Sequence, residues 1–342
     1  MSRLFRTPRR RGVTAPGTLT VLTAALVALA GCSSAPSSES SGSSGSSGSA
    51  SAGPRTIQTE QGPVEVPASP QRIVNLSGGL GGYLYAVDAP VVATDTRVLG
   101  VTDLDGGFPP AWADQARAAN TQQLPGGEQL NIEAVAAAEP DLIIGGGQGI
   151  TAVQAKENYD QLSAIAPTVL VPPTVSDWRE QLRVVAGAVG RGDRVDGLID
   201  GYDDKLEQVK GSIQVPAGPS AILLSLPNEK PYLVPETAAL PQQLAALGFT
   251  MDGVLAKAGN PQLYGSGDSF EVSPELLGKV ADAPNLFVIT LSGRTVDQLE
   301  QDPLYAALPA FRAGTVHELP ATSYRPDLDG ATSTLTVIDQ EF

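Results

Sequence analysis

Residues 131–147 read NIEAVAAAEPDLIIGGG, and this stretch holds one complete unit of structure. Asn131-Ile132-Glu133 leads a helix that stops at Pro140-Asp141, because proline lacks the N–H a helix interior needs. Leu142-Ile143-Ile144 follows as a short apolar run bounded by turn formers, which reads as a buried strand. Gly145-Gly146-Gly147 then carries the chain away from it. A helix feeding a buried strand that ends in glycines is the repeating unit of an α/β fold.

The same unit recurs outward in both directions. Upstream, Arg72–Leu76 (RIVNL) is a strand, and Val91–Thr94 is another after a short helix near Tyr83–Val87; downstream, Thr168–Val171 is a fourth. These runs end at Ser77-Gly78-Gly79, Asp95 and Pro172-Pro173. Ligands of open α/β sheets collect in loops beyond the carboxyl ends of strands, so all four loops are candidates for one rim of a cleft.

A helical region comes next. Asp177 caps its start with Glu180 three residues on, as in a capping box. Trp178, Leu182, Val185, Ala186 and Val189 share one face, which makes Trp178 a packing residue. Gly190-Arg191-Gly192 interrupts the pattern, and Val195, Leu198, Ile199, Tyr202, Leu206 and Val209 resume it. Beyond it, strands at Ala221–Leu226, Leu286–Leu291 and Thr315–Leu319 alternate with a helix at Leu240–Leu247 and a last helix from near Asp329. The expected architecture is two α/β lobes (residues 55–175 and 212–342) joined by one helical spine (176–211). An internal echo supports it. Val272-Ser273-Pro274-Glu275 leads a helix ending at Pro284-Asn285 before Leu-Phe-Val-Ile, so each half has an acidic residue, Glu133 or Glu275, in a first helical turn. Taken alone, such a carboxylate simply complements the helix dipole.

The N-terminus addresses the chain for export. Five arginines between Arg3 and Arg11 precede an apolar run from Val13 to Ala30, and Leu29-Ala30-Gly31-Cys32 follows. That tetrad resembles the bacterial lipobox, which implies a signal peptide over residues 1–31 and a lipid on Cys32. Arg9-Arg10-Arg11 leaves the Sec and twin-arginine routes both open. Residues 32–54 are almost wholly Ser, Gly and Ala, too poor in apolar surface to offset ordering entropy, and read as a tether.

Composition removes whole classes of function. Cys32 is the sole cysteine among 342 residues, so an intramolecular disulfide is excluded and no thiol is left for redox work. A net charge of −15 argues against nucleic acid. His317, the single histidine, sits in an alternating strand-like segment, where packing is a more natural role than that of a base. There is no Gly-x-Ser-x-Gly elbow, no Lys-Ser/Thr after Gly145–Gly149, and Ile150 stands where a dinucleotide motif needs glycine. Neither an enzyme nor a resident metal or cofactor is expected; a metal would arrive already wrapped in a chelator.

Export, two lobes and a helical spine together resemble the solute-binding proteins of iron–siderophore and cobalamin ABC importers, over about Thr56 to Phe342. Residues 131–144 and the spine from Asp177 to Arg191 carry the family-wide likeness. Tyr85–Ala93, Tyr159–Thr168, Leu244–Phe249, Asp302–Leu304 and Leu308–Ala310 are most similar to the ferric-enterobactin-binding branch. The resemblance implies a class III periplasmic-binding-protein fold, a ferric siderophore (of the catecholate type) as ligand and an ABC permease dimer as partner. It further implies a monomer, held to the outer face of the cell membrane through its lipid alone. It also implies that Glu133 and Glu275 dock onto permease arginines, with Glu275 the weaker match because Pro274 and the spacing to Pro284 depart from the first-lobe pattern.

A ferric tris-catecholate is polyanionic and aromatic, so its pocket needs guanidinium groups and ring faces. The candidates are Arg325, which matches an arginine of the branch, Arg294, which falls where the branch has a basic residue, and Arg97, with Tyr324 and Tyr83 as aromatic surfaces. Haem or cobalamin on the same fold, and a siderophore esterase, are the competing readings.

Overall fold

In the computed structural model, residues 53–342 are described apart from Ser266. The signal segment, the lipobox with Cys32 and nearly all of the tether lie outside the described residues. Arg55–Thr59 (β1) and Gly62–Val66 (β2) alternate polar and apolar residues about Gly62, whose φ of 104° suits glycine, and pair as an antiparallel hairpin.

The first sheet is built from Ile73–Asn75 (β3), Val91–Thr94 (β4), Gln122–Gln123 (β5), Leu142–Gly146 (β6) and Thr168–Val171 (β7). All pair in parallel, in the order β5-β4-β3-β6-β7. The chain starts in the middle at β3, winds outward through β4 and β5, then returns to the other side for β6 and β7. The order therefore reverses beside β3, and the loops after β3 and β6 splay apart there to leave a crevice. The central strands are apolar on both faces, as parallel strands covered by helices must be.

Pro219–Ser225 (β8), Pro231–Leu233 (β9), Thr250–Met251 (β10), Phe270–Glu271 (β11), Asn285–Thr290 (β12) and Val316–Leu319 (β13) make the second sheet, ordered β11-β9-β8-β12-β13 with β10 also against β8. β8, β12, β13 and β10 run parallel, while β9 and β11 are antiparallel additions at one edge. The strands expected from composition recur here within two residues of their ends.

The spine runs as two helices. Asp177 caps the first, Trp178–Ala188, by accepting from the Glu180 amide at 2.9 Å. Gly190 then adopts a φ of 73°, a turn of 3₁₀ helix spans Gly192–Arg194, and the second helix covers Val195–Ser212. A Cβ on Gly190 would lie 2.4 Å from the Ala68 carbonyl oxygen, so close approach of the chain after the hairpin also demands glycine. Arg55 of β1 donates to the Gly187 and Ala188 carbonyls at 2.6 and 3.0 Å, satisfying two of the orphan acceptors at the end of the first spine helix. One apolar core joins Ile144 and Val171 of the first sheet to Ile222 and Ile289 of the second through Leu182 and Ile199 of the spine and Leu335 of the last helix, Leu328–Glu341. Burial of each such side chain contributes roughly 1.5–3 kcal/mol. His317 packs between Phe287 and Phe342 and contacts Glu341 at 2.9 Å.

Candidate functional site

The loops beyond the strand ends of both sheets meet across a cleft of about 1280 Å³. The Ser77–Gly79 and Gly147–Thr151 loops, at the reversal point of the first sheet, form part of one wall. Ser292, beyond β12, and Pro320 to Asp329, beyond β13, form part of the other, and the start of the spine at Ser176–Gln181 closes the floor. This volume exceeds that of an ordinary small-molecule pocket and suits a bulky ligand.

The first wall is held by a buried polar network. The Asn75 amide donates to the Ser77 carbonyl at 2.8 Å and to Thr94 Oγ1 at 2.9 Å, and Ser77 Oγ lies 3.1 Å from Thr151 Oγ1. Gly78 opens the helix Gly78–Ala86, where a Cβ would meet the Arg97 backbone at 2.4 Å.

Arg97 lines this wall. Its Nε and Nη2 bind Asp95 at 2.9 and 2.5 Å, and its Nη atoms also donate to the Gly127 carbonyl and to Gln154 Oε1, both at 2.9 Å. Asp95 is 3 % exposed, so the pair is a rigid feature of the wall. Arg325 occupies the opposite wall and grips Asp268 through Nε at 2.6 Å and Nη2 at 3.1 Å. Burial pulls the Arg325 pKa down, but the bonds and charge of Asp268 outweigh it and leave the pKa raised. Tyr324 donates to Asp268 Oδ1 at 2.8 Å and presents its ring under the Arg325 guanidinium at 5.0 Å. Burial foremost, then the Asp268 charge, pushes the Tyr324 hydroxyl up to about 12. Arg97, Arg325 and Tyr324 are thus brought to one cleft.

Two of the expected pocket residues lie elsewhere. Arg294 follows β12 as anticipated, but its guanidinium turns away to Asp302 Oδ2 at 2.7 Å and covers the Tyr305 ring at 5.0 Å. Asp302 is the N-cap of a short helix, Pro303–Ala306, so Arg294 pairs with that capping carboxylate and does not line the cleft. Tyr83 is 1 % exposed, and its hydroxyl donates to the Pro326 carbonyl at 3.0 Å, tying the Gly78–Ala86 helix to the second-sheet side. Burial, then the charges of Asp327 and Asp177, raises its pKa well above that of a free tyrosine. Its ring offers no face to a ligand.

Arg179 was missed by sequence reasoning. It lines the cleft floor, stacks over Trp178 at 4.6 Å and Tyr202 at 4.7 Å, and pairs with Asp203 at 2.5 Å. The spine pattern marks the apolar face only; the position after Trp178 faces out of that stripe into the cleft. Trp178 itself is 4 % exposed and packs edge-on against Tyr202, the packing role expected of it, while it still borders the cleft, as does Trp112.

Glu133 and Glu275 lie on the surface, outside the cleft, each in the first turn of a helix: Ile132–Ala137, capped by Asn131 accepting from the Ala134 amide at 2.8 Å, and Pro274–Val280. The Glu275 carboxyl is held below the usual range by its own backbone N–H first and then by the Ser273 hydroxyl. Among the described residues no cluster of His, Cys, Asp and Glu is arranged to hold a metal ion, and no helix is long and apolar enough to cross a membrane.

Comparison with known proteins places this geometry. The profile of the periplasmic binding proteins matches residues 73–322. Among curated proteins, the chain is 32% identical over 286 residues to the ferric enterobactin-binding periplasmic protein FepB of Escherichia coli, covering 82% of this chain and 89% of that one. The probable siderophore-binding lipoprotein YfiY of Bacillus subtilis is 28% identical over 55% of this chain and 58% of its own length. Among solved structures, holo-ViuP superposes with a TM-score of 0.71 at 25% identity over 84% of this chain and 95% of that one. PiaA of Streptococcus pneumoniae in complex with ferrichrome shares the fold, with a TM-score of 0.65 at 22% identity over 83% and 97%. These relatives are solute-binding proteins, not enzymes, and their fold is the class III one of parallel sheets and many helices. The chain belongs to the periplasmic binding protein family.

Proposed function

We propose that this chain is an extracytoplasmic lipoprotein, anchored through Cys32, that binds a ferric siderophore and delivers it to an ABC importer. The observation that carries the reading is the cleft between the two sheets, with arginine and aromatic side chains on facing walls, in a chain 32% identical to a ferric enterobactin-binding protein. That relative favours a catecholate, whose flat rings and anionic oxygens suit Arg97, Arg179 and Arg325 and the neighbouring rings of Tyr324 and Trp178. Capture in the cleft is followed by docking of Glu133 and Glu275 onto arginines of a permease dimer and by release into the permease. Such surface charges set orientation and encounter rate more than affinity.

Cells lacking the native gene and supplied with a radiolabelled ferric catecholate test the whole sequence of events. Uptake restored by the wild-type chain, and lost in the Glu133→Ala/Glu275→Ala double variant while chelate binding persists, is the expected result. Uptake that ignores the gene altogether sinks the function; uptake that ignores the double variant sinks the docking step.

A further inference from the structure

The charge lining the cleft runs against a simple polyanionic cargo. Three arginines (Arg97, Arg179 and Arg325) and five aspartates (Asp103, Asp177, Asp268, Asp327 and Asp329) line it, a formal excess of two negative charges, in a chain whose net charge is already −15. Each arginine is also paired before any ligand enters: Arg97 with Asp95, Arg179 with Asp203 and Arg325 with Asp268. Asp177, Asp327 and Asp329 form no ion pair among the described residues. Asp177 lies at the start of the spine on the floor, and Asp327 and Asp329 on the wall beyond β13, all lining the same cleft. Burial foremost pushes the Asp327 carboxyl up to about 6, with the Asp329 charge adding to it, and burial raises that of Asp329.

A bare ferric tris-catecholate entering here meets guanidinium groups whose charge is already balanced, and carboxylates that repel it. We infer that the chelate this cleft takes carries its own positive charge, as basic side groups that lie against Asp177 and Asp329 while the anionic iron core meets Arg325 and Arg97. The inference rests on the ferric-siderophore reading and narrows it to chelates whose overall charge falls well short of that of an unadorned tris-catecholate. The paired arginines still serve the core. Arg325 uses Nε and one Nη2 hydrogen on Asp268, which leaves its other N–H groups directed elsewhere.

The test is a binding titration of the full chain in detergent with one ferric tris-catecholate made in two forms, with and without lysine residues in its backbone. The lysine-bearing form is expected to bind at least about tenfold more tightly at low ionic strength, with the advantage shrinking as salt rises. In the Asp177→Asn/Asp329→Asn variant, which keeps a capping oxygen at residue 177, the lysine-bearing form should lose most of that advantage and the plain form should bind as well or better. Equal affinity for the two forms, tighter binding of the plain form, or an equal loss of both in the variant overturns the inference and leaves the siderophore reading standing. Failure of both forms and of a ferric tris-hydroxamate to bind removes the inference and the siderophore reading together.

Discussion

Arg325 and Asp268 are joined by two hydrogen bonds in a wall where Asp268 is only 8 % exposed, so removing the arginine takes two hydrogen bonds and the balancing charge from a buried carboxylate. Arg325→Ala should weaken ferric-chelate binding by about tenfold or more, and lower stability by about 1–3 kcal/mol in a urea titration. Arg294→Ala, by contrast, should leave binding unchanged, because its partner Asp302 lies at a helix cap away from the cleft. Asp327 sets a pH dependence. Its folded pKa of about 6 lies above the ordinary value, so between about pH 4 and 6 the folded state holds more protons than the unfolded one. Stability contributed by this group is therefore present below about pH 4 and lost as pH rises through 6. Asp327→Asn keeps an oxygen for the Gly330 amide, and should raise the melting temperature at pH 7 by a few degrees while leaving that at pH 4 nearly unchanged. Of the cleft residues, Arg97, Arg325 and Tyr324 were legible in sequence because each follows a strand or a family motif. Their carboxylate partners were not. Asp268 lies 57 positions from Arg325, and no local pattern announces that contact. Asp95 could have been found, since an aspartate two residues before an arginine in a turn accepts from the backbone, as it does here at 2.8 Å.

At the level of elements, the break in the spine is the feature with most consequence. Gly190 combines a φ of 73° with a backbone neighbour that leaves no room for a methyl group. Gly190→Ala should cost about 1–3 kcal/mol, read as a lower denaturant midpoint at an unchanged slope. The interruption was legible as Gly190-Arg191-Gly192, yet the two helices it separates were expected to act as one connector. The first packs mainly against Gly78–Ala86 and the second mainly against the last helix, which the first also touches. Central strands were the most legible elements, because a run such as LIIGG must be buried on both faces and must end where the glycines turn. The hairpin of β1 and β2 alternates with period two about Gly62 and escaped notice beside the Ser-Gly tether, whose composition dominates that region. Strands of two or three residues, β5, β9, β10 and β11, carry too few residues for any periodicity to register.

For the molecule as a whole, one apolar core runs from the first sheet through the spine to the second, so the two walls of the cleft rest on shared packing. Large hinge opening would expose that core at roughly 25 cal/mol per Å² of apolar surface. Ligand binding should accordingly change the radius of gyration by little in solution scattering, in contrast to a protein whose walls are joined by flexible strands. The proposed export signal and lipid anchor at Cys32 concern the whole molecule in another sense: on that reading the tether keeps the binder near its importer. Cys32→Ala should leave binding intact and move the protein from the membrane fraction to the medium. Trp112 and Trp178 both border the cleft, which makes intrinsic fluorescence a direct reporter of its contents. The decisive measurement is a fluorescence titration of the full chain with ferric tris-catecholates, a ferric tris-hydroxamate, haem and cobalamin. Saturable quenching by a ferric siderophore, weakened in Arg325→Ala and stronger than any response to haem or cobalamin, is the expected result. Saturable quenching by haem or cobalamin alone, or no response to any iron chelate, would contradict it.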